Sequence, residues 1–557
     1  MAEMKFIALS GTTGATENLY VYEYGADMIV VDCGVGFPDP EMLGVDLVIP
    51  DFDYIVKNKE KLRGIVITHG HEDHLGALPF LLKDLPAQAG VQAPIYATRL
   101  TAAFIEDKLL DYGVKDAKVN VMNPDNGEKV KLGVFEINPF RISHSVPDGV
   151  GLGINTPEGM LMHVPDYKFD WSSVDRKPFD VQKAVSIASN GVLALASDAL
   201  GSTTPGHTES EKVLDERIEK VIGEAKNRIY FTTISSNIAR IQQAINAAEK
   251  TGRKVAFVGR SMERKAAIAK KLGYLHYHPS IEVHMRKAAK MNRDKVLFII
   301  SGCYGQPGSA LYRVAHDDHR FLHIEKDDTV IFSADPAPPG SKMKVDYLVD
   351  RFLEGHVDVH YYDLQEDLHV SGHGSQEDIR FLFGLIKPKY FIPIGGTVRH
   401  MRAYHKLAEE FGANSSSIFE LMPGDSLIYE EGRARKGKRI AVRSVLVDGL
   451  GIGDVGNVVL RDRRILSEEG FVISLMQLDS ASGKLVSAPE LITKGFVFEK
   501  SSKDVLKMGV EKILSQTKKI NNLSQNQLKE ITVDTLEHFF FEEIGRRPMI
   551  LPVVVEV

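Results

Sequence analysis

The segment VITHGHEDHLGALP, residues 66–79, carries His69, His71, Asp73 and His74 within six positions. Imidazole and carboxylate together are a donor set for zinc or manganese. Histidines at i and i+2 on a loop can aim two ring nitrogens at one ion, and Asp73 with His74, on the next turn, can aim at a second. Two ions about 3.5–4 Å apart activate water and clamp a phosphoryl oxygen. The plain alternative is a solvated loop that happens to be rich in histidine. Four ligand-type residues in the order H-x-H-x-D-H argue against it. Such a centre needs partners from distant strand ends. FRISHSVPDGVG (140–151) offers His144 just after a strand, and GMLMHVPDYKFD (159–170) offers Asp166 after another. Asp32, closing MIVVDCG, reads as support for the loop rather than as a ligand. Cys33 beside it reads as a small buried residue.

The elements that must position these groups are legible as alternating patterns. Lys5–Leu9, Leu19–Tyr24 and Met28–Asp32 read as strands separated by Gly11, Gly14 and Gly25. The apolar run 64–67 ends a buried strand, and 75–78 starts a helix. Strands then alternate with amphipathic helices to about residue 200, which predicts α/β layers. Residues 207–368 continue the same alternation, with a helix over Asn237–Lys250, a strand over Lys254–Val258, a helix over Glu263–Leu272, and strands over Val296–Ile300 and Thr329–Ser333. Tyr390–Ile394 returns to a buried strand, followed by a helix from about His400 to Phe411. GRARKGKRIAVR (432–443) reads as a basic connector. A last unit from 444 combines short strands with a helix pair near 502–518 and 525–544.

With 557 residues the chain is too long for one core and suggests about three or four domains. Its composition, 43% hydrophobic and 26% charged, is that of a soluble globular protein. Two cysteines exclude a disulfide scaffold and a Cys-rich zinc site, and suit a reducing compartment. No apolar run approaches the roughly 18–20 residues of a membrane span, and the N-terminus lacks a signal pattern. The expected location is the cytoplasm, with no membrane partner. A net charge of −7 does not by itself point to nucleic acid, but recognition depends on local patches more than on the sum.

The order H-x-H-x-D-H, then His, then Asp resembles the metallo-β-lactamase superfamily of hydrolases. LALASDALGSTTPGHTESE (193–211), with Asp198, resembles the acidic motif that opens a β-CASP insert. FTTISSNIARIQQAINAAEKTGRKVAFVGRSM (231–262), SGCYGQPGSALYRVA (301–315), HVSGHGSQED (369–378), VDGLGIGDVGNVVLRDRRILSEEGFV (447–472) and RRPMILPVVVEV (546–557) resemble bacterial ribonuclease J over essentially the whole chain. The last two stretches discriminate best, since other β-CASP nucleases lack them. The resemblance implies an α/β fold: a metallo-β-lactamase αββα sandwich (1–206 and 369–443), an inserted β-CASP α/β domain (207–368) and a small α+β C-terminal domain (444–557). It implies a metal-dependent ribonuclease acting 5′-to-3′ and internally on RNA with a preferred 5′-monophosphate, in RNA maturation and decay, assembled as a homodimer or homotetramer.

Carried over by motif, His69, His71 and His144 would hold one metal, Asp73 and His74 the other, with Asp166 bridging. Zn²⁺ is the expected ion, with Mn²⁺ or Mg²⁺ as alternatives. His373 would act near the scissile phosphate as acid or electrostatic stabiliser, and Asp198 would orient the metal shell. Ser235, Ser236 and Asn237, at a helix N-terminus, are candidates to hold RNA phosphate; plain N-capping is the other reading. Ser375 and His369 have a similar claim. The basic run MRKAAKMNRDK (285–295) is either an RNA-backbone track or a solvated helix face.

The family's last ligand is a His in a strand-end motif of type P-V-H-G-E. Here FIPIGGTVRHM (391–401) places Gly395 at the His and Thr397 at the Glu. Three protein ligands then remain for the second metal, and the expectation is one tight site and one weakened site, with His400 a possible substitute ligand. The start, LSGTTGATEN (9–18), also departs from the family's GGLGEIGKN type while keeping the Asn. Two other functions stay open: a catalytically weak RNA-binding paralogue or partner subunit, favoured by Gly395, and a metallo-hydrolase with a lactamase-like activity.

Overall fold

The structure is a computed structural model that describes residues 3–84, 93–335, 340–361, 368–449, 451–453, 455–496, 503–518, 520 and 522–557. Leu450, Asp454 and Ser502, which fall within motifs or elements anticipated above, lie outside the described residues. By contact the chain parts into two units: Met1–Phe37 with Leu47–Val445, and Pro38–Asp46 with Leu446–Val557.

The first unit is built on two facing sheets. One has eight strands in the order Arg433–Lys436, Ser426–Glu430, Met4–Ser10, Leu19–Tyr24, Asp27–Val31, Leu62–Val66, Ile95–Ala97, Val119–Val121. The other has six: Tyr390–Ile394, Ala194–Asp198, Gly159–Val164, Val150–Thr156, Phe135–Arg141, Val130–Leu132. Period-two alternation aims Phe6, Tyr20, Tyr22, Ile29 and Val31 of the first sheet at Ile137, Leu152, Ile154 and Ile392 of the second, and this closes one apolar core. The outer face of the six-stranded sheet is covered by helices Val181–Ala188, Gln376–Ile386 and Val398–Glu410 through Phe140, Met162, Leu382, Phe383 and Tyr404. Helix Arg99–Asp111 packs against the far edge of the eight-stranded sheet. This is the αββα sandwich.

The segment 432–443, read above as a connector, is in part a strand. Arg433–Lys436 pairs antiparallel with Ser426–Glu430 at the edge of the larger sheet. Its Arg and Lys side chains hid it from an apolar-alternation reading, yet charged side chains are how an edge strand avoids further pairing.

Between Asp198 and Tyr390, which lie on neighbouring strands, the chain makes a separate five-stranded parallel sheet: Lys254–Val258, Val296–Ile300, Ile229–Thr232, Thr329–Phe332, Asp358–His360. Its apolar runs read as continuous rather than alternating because helices cover buried parallel strands. Helix Ile238–Lys250 and helix Arg260–Leu272 follow the anticipated pattern, the latter starting three residues early after Gly259 at φ +103°.

In the second unit, strand Phe471–Asp479 pairs antiparallel with Lys484–Leu485 and Glu490–Lys494, and parallel with Met549–Glu556. Helices Lys503–Thr517 and Gln525–Ile544 bury one face of this sheet through Val472, Met476, Ile513, Leu536, Phe540 and Val554. It is an α+β unit.

Candidate metal centre

Parallel pairing brings several strand ends to one edge. Val164, Ser197 and Pro393 are in register across three adjacent strands. The residues that follow, Asp166, Asp198 and Gly395, therefore collect at the same carboxyl end. On the facing sheet, Val31 and Val66 are in register, which delivers Asp32 and the 68–74 turn to that edge. Carboxyl ends of parallel strands are where loops can project ligands without breaking the ladder.

The turn is held by a buried carboxylate. Asp32, at φ +60° and fully buried, accepts from the Thr68 N–H at 2.8 Å and lies 2.8 Å from His74 Nδ1. The 33–35 strand-like stretch lies directly on the ligand loop: Cys33 N–H donates to His74 O and Val35 N–H to Glu72 O. Gly34 makes this approach possible, since a Cβ there would sit 1.6 Å from Asp73 O.

Among the described residues, three groups of side chains each bring one potential ligand atom within 4.8 Å of the others: His69, His71, His144 and Asp166; Asp73, His74 and Asp166; Asp166, Asp198 and His373. In the first, His69 Nε2 and His144 Nε2 lie 3.2 and 3.1 Å from His71 Nδ1. Zinc–nitrogen bonds of about 2.0–2.1 Å in a tetrahedron put neighbouring nitrogens about 3.3 Å apart, so these nitrogens fit the edges of a zinc site. Asp166 Oδ2 lies 3.6 Å from both His69 Nε2 and His144 Nε2, 3.4 Å from His74 Nε2 and 3.9 Å from His373 Nε2.

Each imidazole has a partner on its other nitrogen. His69 Nδ1 meets Thr68 Oγ1, His71 Nε2 meets Ser145 Oγ, His144 Nδ1 meets Gly372 O at 2.8 Å, and His74 Nδ1 meets Asp32. Such contacts fix tautomer and ring orientation, as a metal site requires. Burial suits three of the imidazole donors, whereas at His74 burial is outweighed by the Asp166, Asp32 and Asp73 carboxylates, which hold it well above the usual range. Burial pushes His69 and His71 well below the usual imidazole range and His144 down to about 4, which leaves lone pairs free for a cation. Burial raises the Asp73 carboxyl to about 6.

His373 is different. Its Nδ1 lies 2.7 Å from Asp198 Oδ2. Burial alone would lower its pKa, but the Asp198 and Asp166 carboxylates outweigh that and hold it up at about 9. Asp198 Oδ1 accepts from Leu200 N–H, so the carboxylate is itself fixed. Asp198 thus meets His373 directly.

The remaining anticipated residues are placed as follows. Asn237 caps helix Ile238–Lys250, its side chain accepting from Arg240 N–H; Ser236 is buried and Ser235 half-buried beside it. Ser375 caps helix Gln376–Ile386, with its N–H on Asp378 and its hydroxyl 2.8 Å from Thr208 Oγ1. His369 is half-buried, with an unpartnered Nδ1. His400 Nδ1 accepts from Thr397 N–H at 3.1 Å in a capping box, so that nitrogen is engaged at the helix start. Gly395 adopts φ +67°, and a Cβ there would face Asp198 Oδ1 at 3.4 Å and Asp166 Oδ1 at 3.9 Å.

Asn18, which the sequence marked only as retained in the first loop, reaches the centre. Its Nδ2 donates to Asp73 O at 3.1 Å and lies 3.1 Å from His74 Nε2, and Tyr20 OH holds its Oδ1. Ser145, the residue after His144, is a second contact the sequence did not single out. Only the neighbouring motif signalled it.

Comparison with known proteins agrees with this architecture. Residues 27–183 match the beta-lactamase superfamily domain, 226–352 the Ribonuclease J beta-CASP domain, 364–417 the Zn-dependent metallo-hydrolase RNA specificity domain, and 458–557 the Ribonuclease J C-terminal domain. The chain is 36% identical over 557 residues to Ribonuclease J2 of Bacillus subtilis (strain 168), covering 100% of this chain and 99% of that protein. It is 36% identical to Ribonuclease J 1 of Streptococcus pyogenes serotype M3, covering 99% and 98%, and 32% identical to Ribonuclease J 2 of Staphylococcus aureus (strain MRSA252), covering 100% and 98%. A crystal structure of a protein of unknown function from Enterococcus faecalis V583 shares the fold at 14% identity and a TM-score of 0.52, over 76% of this chain and all of that one. Full-length similarity at this level, together with the two ribonuclease J domain matches, places the chain in the ribonuclease J family.

Proposed function

We propose that this protein is a metal-dependent ribonuclease that hydrolyses RNA phosphodiesters, both from the 5′ end and internally, with preference for a 5′-monophosphate. The observation that carries the reading is the convergence of His69, His71, His144 and Asp166 on one point beside Asp73 and His74, in a chain of this family. His69 Nε2, His71 Nδ1, His144 Nε2 and Asp166 would hold one ion; Asp73, His74 and Asp166 the other, with Asp166 common to both. When bound there, divalent cations polarise a phosphoryl oxygen and supply nucleophile from water at neutral pH. Zinc fits the nitrogen-rich first set, and manganese or magnesium the carboxylate-rich second.

The chain's own residues do the rest. Asp198 fixes the orientation of the His373 ring, with Nε2 directed to the Asp166 side. In this reading His373, its ring held by Asp198, delivers a proton to the leaving oxygen or neutralises developing charge there. Ser235, Ser236, Asn237, His369 and Ser375 are proposed to contact RNA phosphates. Asn237 and Ser375 already cap helices, so any such contact would run through backbone N–H groups at those helix starts.

The sandwich is proposed to comprise 1–206 and 369–443, the β-CASP domain 207–368, and the C-terminal domain 444–557. A homodimer or homotetramer through the last domain is supported by its open sheet face. Leu551, Val553 and Val555 are exposed there in register with Ile473, Leu475 and Gln477, and Ile492 is exposed on the adjoining strand. Cytoplasmic residence is supported by two unpaired, buried cysteines, and no described helix is long and apolar enough to cross a membrane. A weakly active partner subunit is the second reading, favoured by Gly395. The test is cleavage of 5′-monophosphorylated RNA by wild type and His71→Ala. The variant should lose cleavage and keep RNA binding. Unchanged cleavage in nuclease-free preparations would rule this site out, and a wild type that binds RNA without cutting it would favour the second reading.

A further inference from the structure

Beside the donor cluster, the largest fully buried charged side chains among the described residues are Arg240 and Lys168, and they share one carboxylate. Glu211 Oε2 accepts from Arg240 Nη2 at 2.6 Å, and Oε1 from Lys168 Nζ at 3.3 Å. A buried cation–anion–cation set is an inefficient source of stability, because desolvation offsets most of the attraction and apolar side chains of similar volume do as well. It does constrain geometry, because each buried donor must find an acceptor.

Lys168 meets that requirement in full. Its ammonium donates to Glu209 O at 3.1 Å, to Glu211, and to Ser371 O at 3.0 Å, which uses all three protons. Glu209 and Glu211 lie where the chain leaves the sandwich for the inserted sheet, and Ser371 lies where it returns. The backbone of the same short stretch is equally engaged. Lys168 N–H donates to Ser143 O at 2.9 Å, and Tyr167 O accepts from Gly374 N–H at 2.6 Å.

These bonds surround the candidate site. Ser143 precedes His144. Ser371 precedes Gly372, whose carbonyl sets the His144 ring, and Gly372 packs so closely that a Cβ would lie 2.6 Å from His144 Cε1. Ser371 and Gly374 bracket His373. Residues 167–168, which directly follow Asp166, therefore grip both sides of the loop that carries His373 and orients His144.

We propose that Lys168 is a positioning residue. Its ammonium ties the two crossovers together and fixes 371–374, so that Gly372 O orients His144 and His373 keeps its bond to Asp198. The activity readout rests on the ribonuclease reading above. The test compares full-length wild type, Lys168→Met, and Leu348→Ala, a core truncation in the inserted sheet that serves as a destabilised control. Turnover and KM are measured on 5′-monophosphorylated RNA, and amide exchange is followed over 371–374. Lys168→Met should lose about 10- to 100-fold in kcat, the range for removing a partner of an active-site ligand, with KM within about twofold. Exchange over 371–374 should accelerate at least about tenfold, while Leu348→Ala keeps kcat within about twofold. A kcat near wild type, a raised KM with unchanged kcat, or unchanged exchange would each overturn the proposal. If Lys168→Met does not fold, wild-type exchange decides: protected amides at His373 and Gly374 support it, and exchange at the rate of an unfolded peptide overturns it. A wild type inactive on RNA would sink the ribonuclease reading, while the exchange comparison would still judge the role of Lys168.

Discussion

Gly395 ends strand Tyr390–Ile394 at φ +67°, with its N–H on Gly11 O at 2.8 Å, and its absent side chain would point between Asp198 and Asp166. The first donor group has three imidazoles with Asp166; the second has one imidazole, Asp73 and the same Asp166. His400 belongs to none of the donor groups found among the described residues, and its Nδ1 is engaged with Thr397. The expected outcome for wild type is one ion per chain after dialysis, with a second bound at least about tenfold more weakly, a gap of about 1.4 kcal/mol. Gly395→His places an imidazole on the carboxylate side. The new Cβ, at 3.4 and 3.9 Å from the two oxygens, meets no hard collision. The left-handed backbone imposes a cost of about 1–2 kcal/mol on a residue with a side chain. The metal-free variant should therefore be less stable by about that amount, while its second ion should bind about tenfold or more tightly. Elemental analysis after dialysis, metal titration and urea unfolding of the metal-free proteins read all three quantities. Two ions retained by dialysed wild type would refute the reasoning. So would a folded Gly395→His whose second-site affinity is unchanged.

Asp198→Asn should cut turnover by about 10- to 100-fold with little change in RNA affinity, because it removes the charge that holds His373 while keeping the shape; steady-state kinetics check this. Glu211 is buried, which raises a carboxyl, but Arg240 and Lys168 outweigh burial and hold it at about 2 against an ordinary 4.5. A depressed folded pKa means stability that is fully present above about pH 4.5 and lost as pH falls towards 2. Glu211→Gln should then be destabilised by a few kcal/mol at pH 7, with the gap to wild type closing between pH 4.5 and 2 in urea unfolding. A chain ending at Arg443 should be monomeric in light scattering where the full chain is not; a full-length monomer at micromolar concentration would contradict assembly through the C-terminal domain.

Much of the fold was legible because local pattern and tertiary role agree. Lys254–Val258, Val296–Ile300 and Tyr390–Ile394 are continuous apolar runs in the sequence and buried parallel strands in the structure. Arg433–Lys436 was not legible, because an exposed edge strand needs no apolar face. Asn237 and Ser375 carried two readings, capping or phosphate contact, since both roles use the same polar side chain at the same helix position.

The sequence by itself marked the candidate donor set. H-x-H-x-D-H, His144 and Asp166 are recognisable because donor type and local spacing are properties of the chain. Only the tertiary structure decided how those donors are held. The supporting roles of Asp32 and Asp198 were anticipated, but their partners, His74 and His373, were not, and Asn18 beside Asp73, Gly372 O on His144 and Lys168 across the crossovers link residues up to 228 positions apart. Such contacts arise from strand register and parallel pairing. No local pattern encodes them, because each residue alone would serve equally well as a turn, cap or surface group.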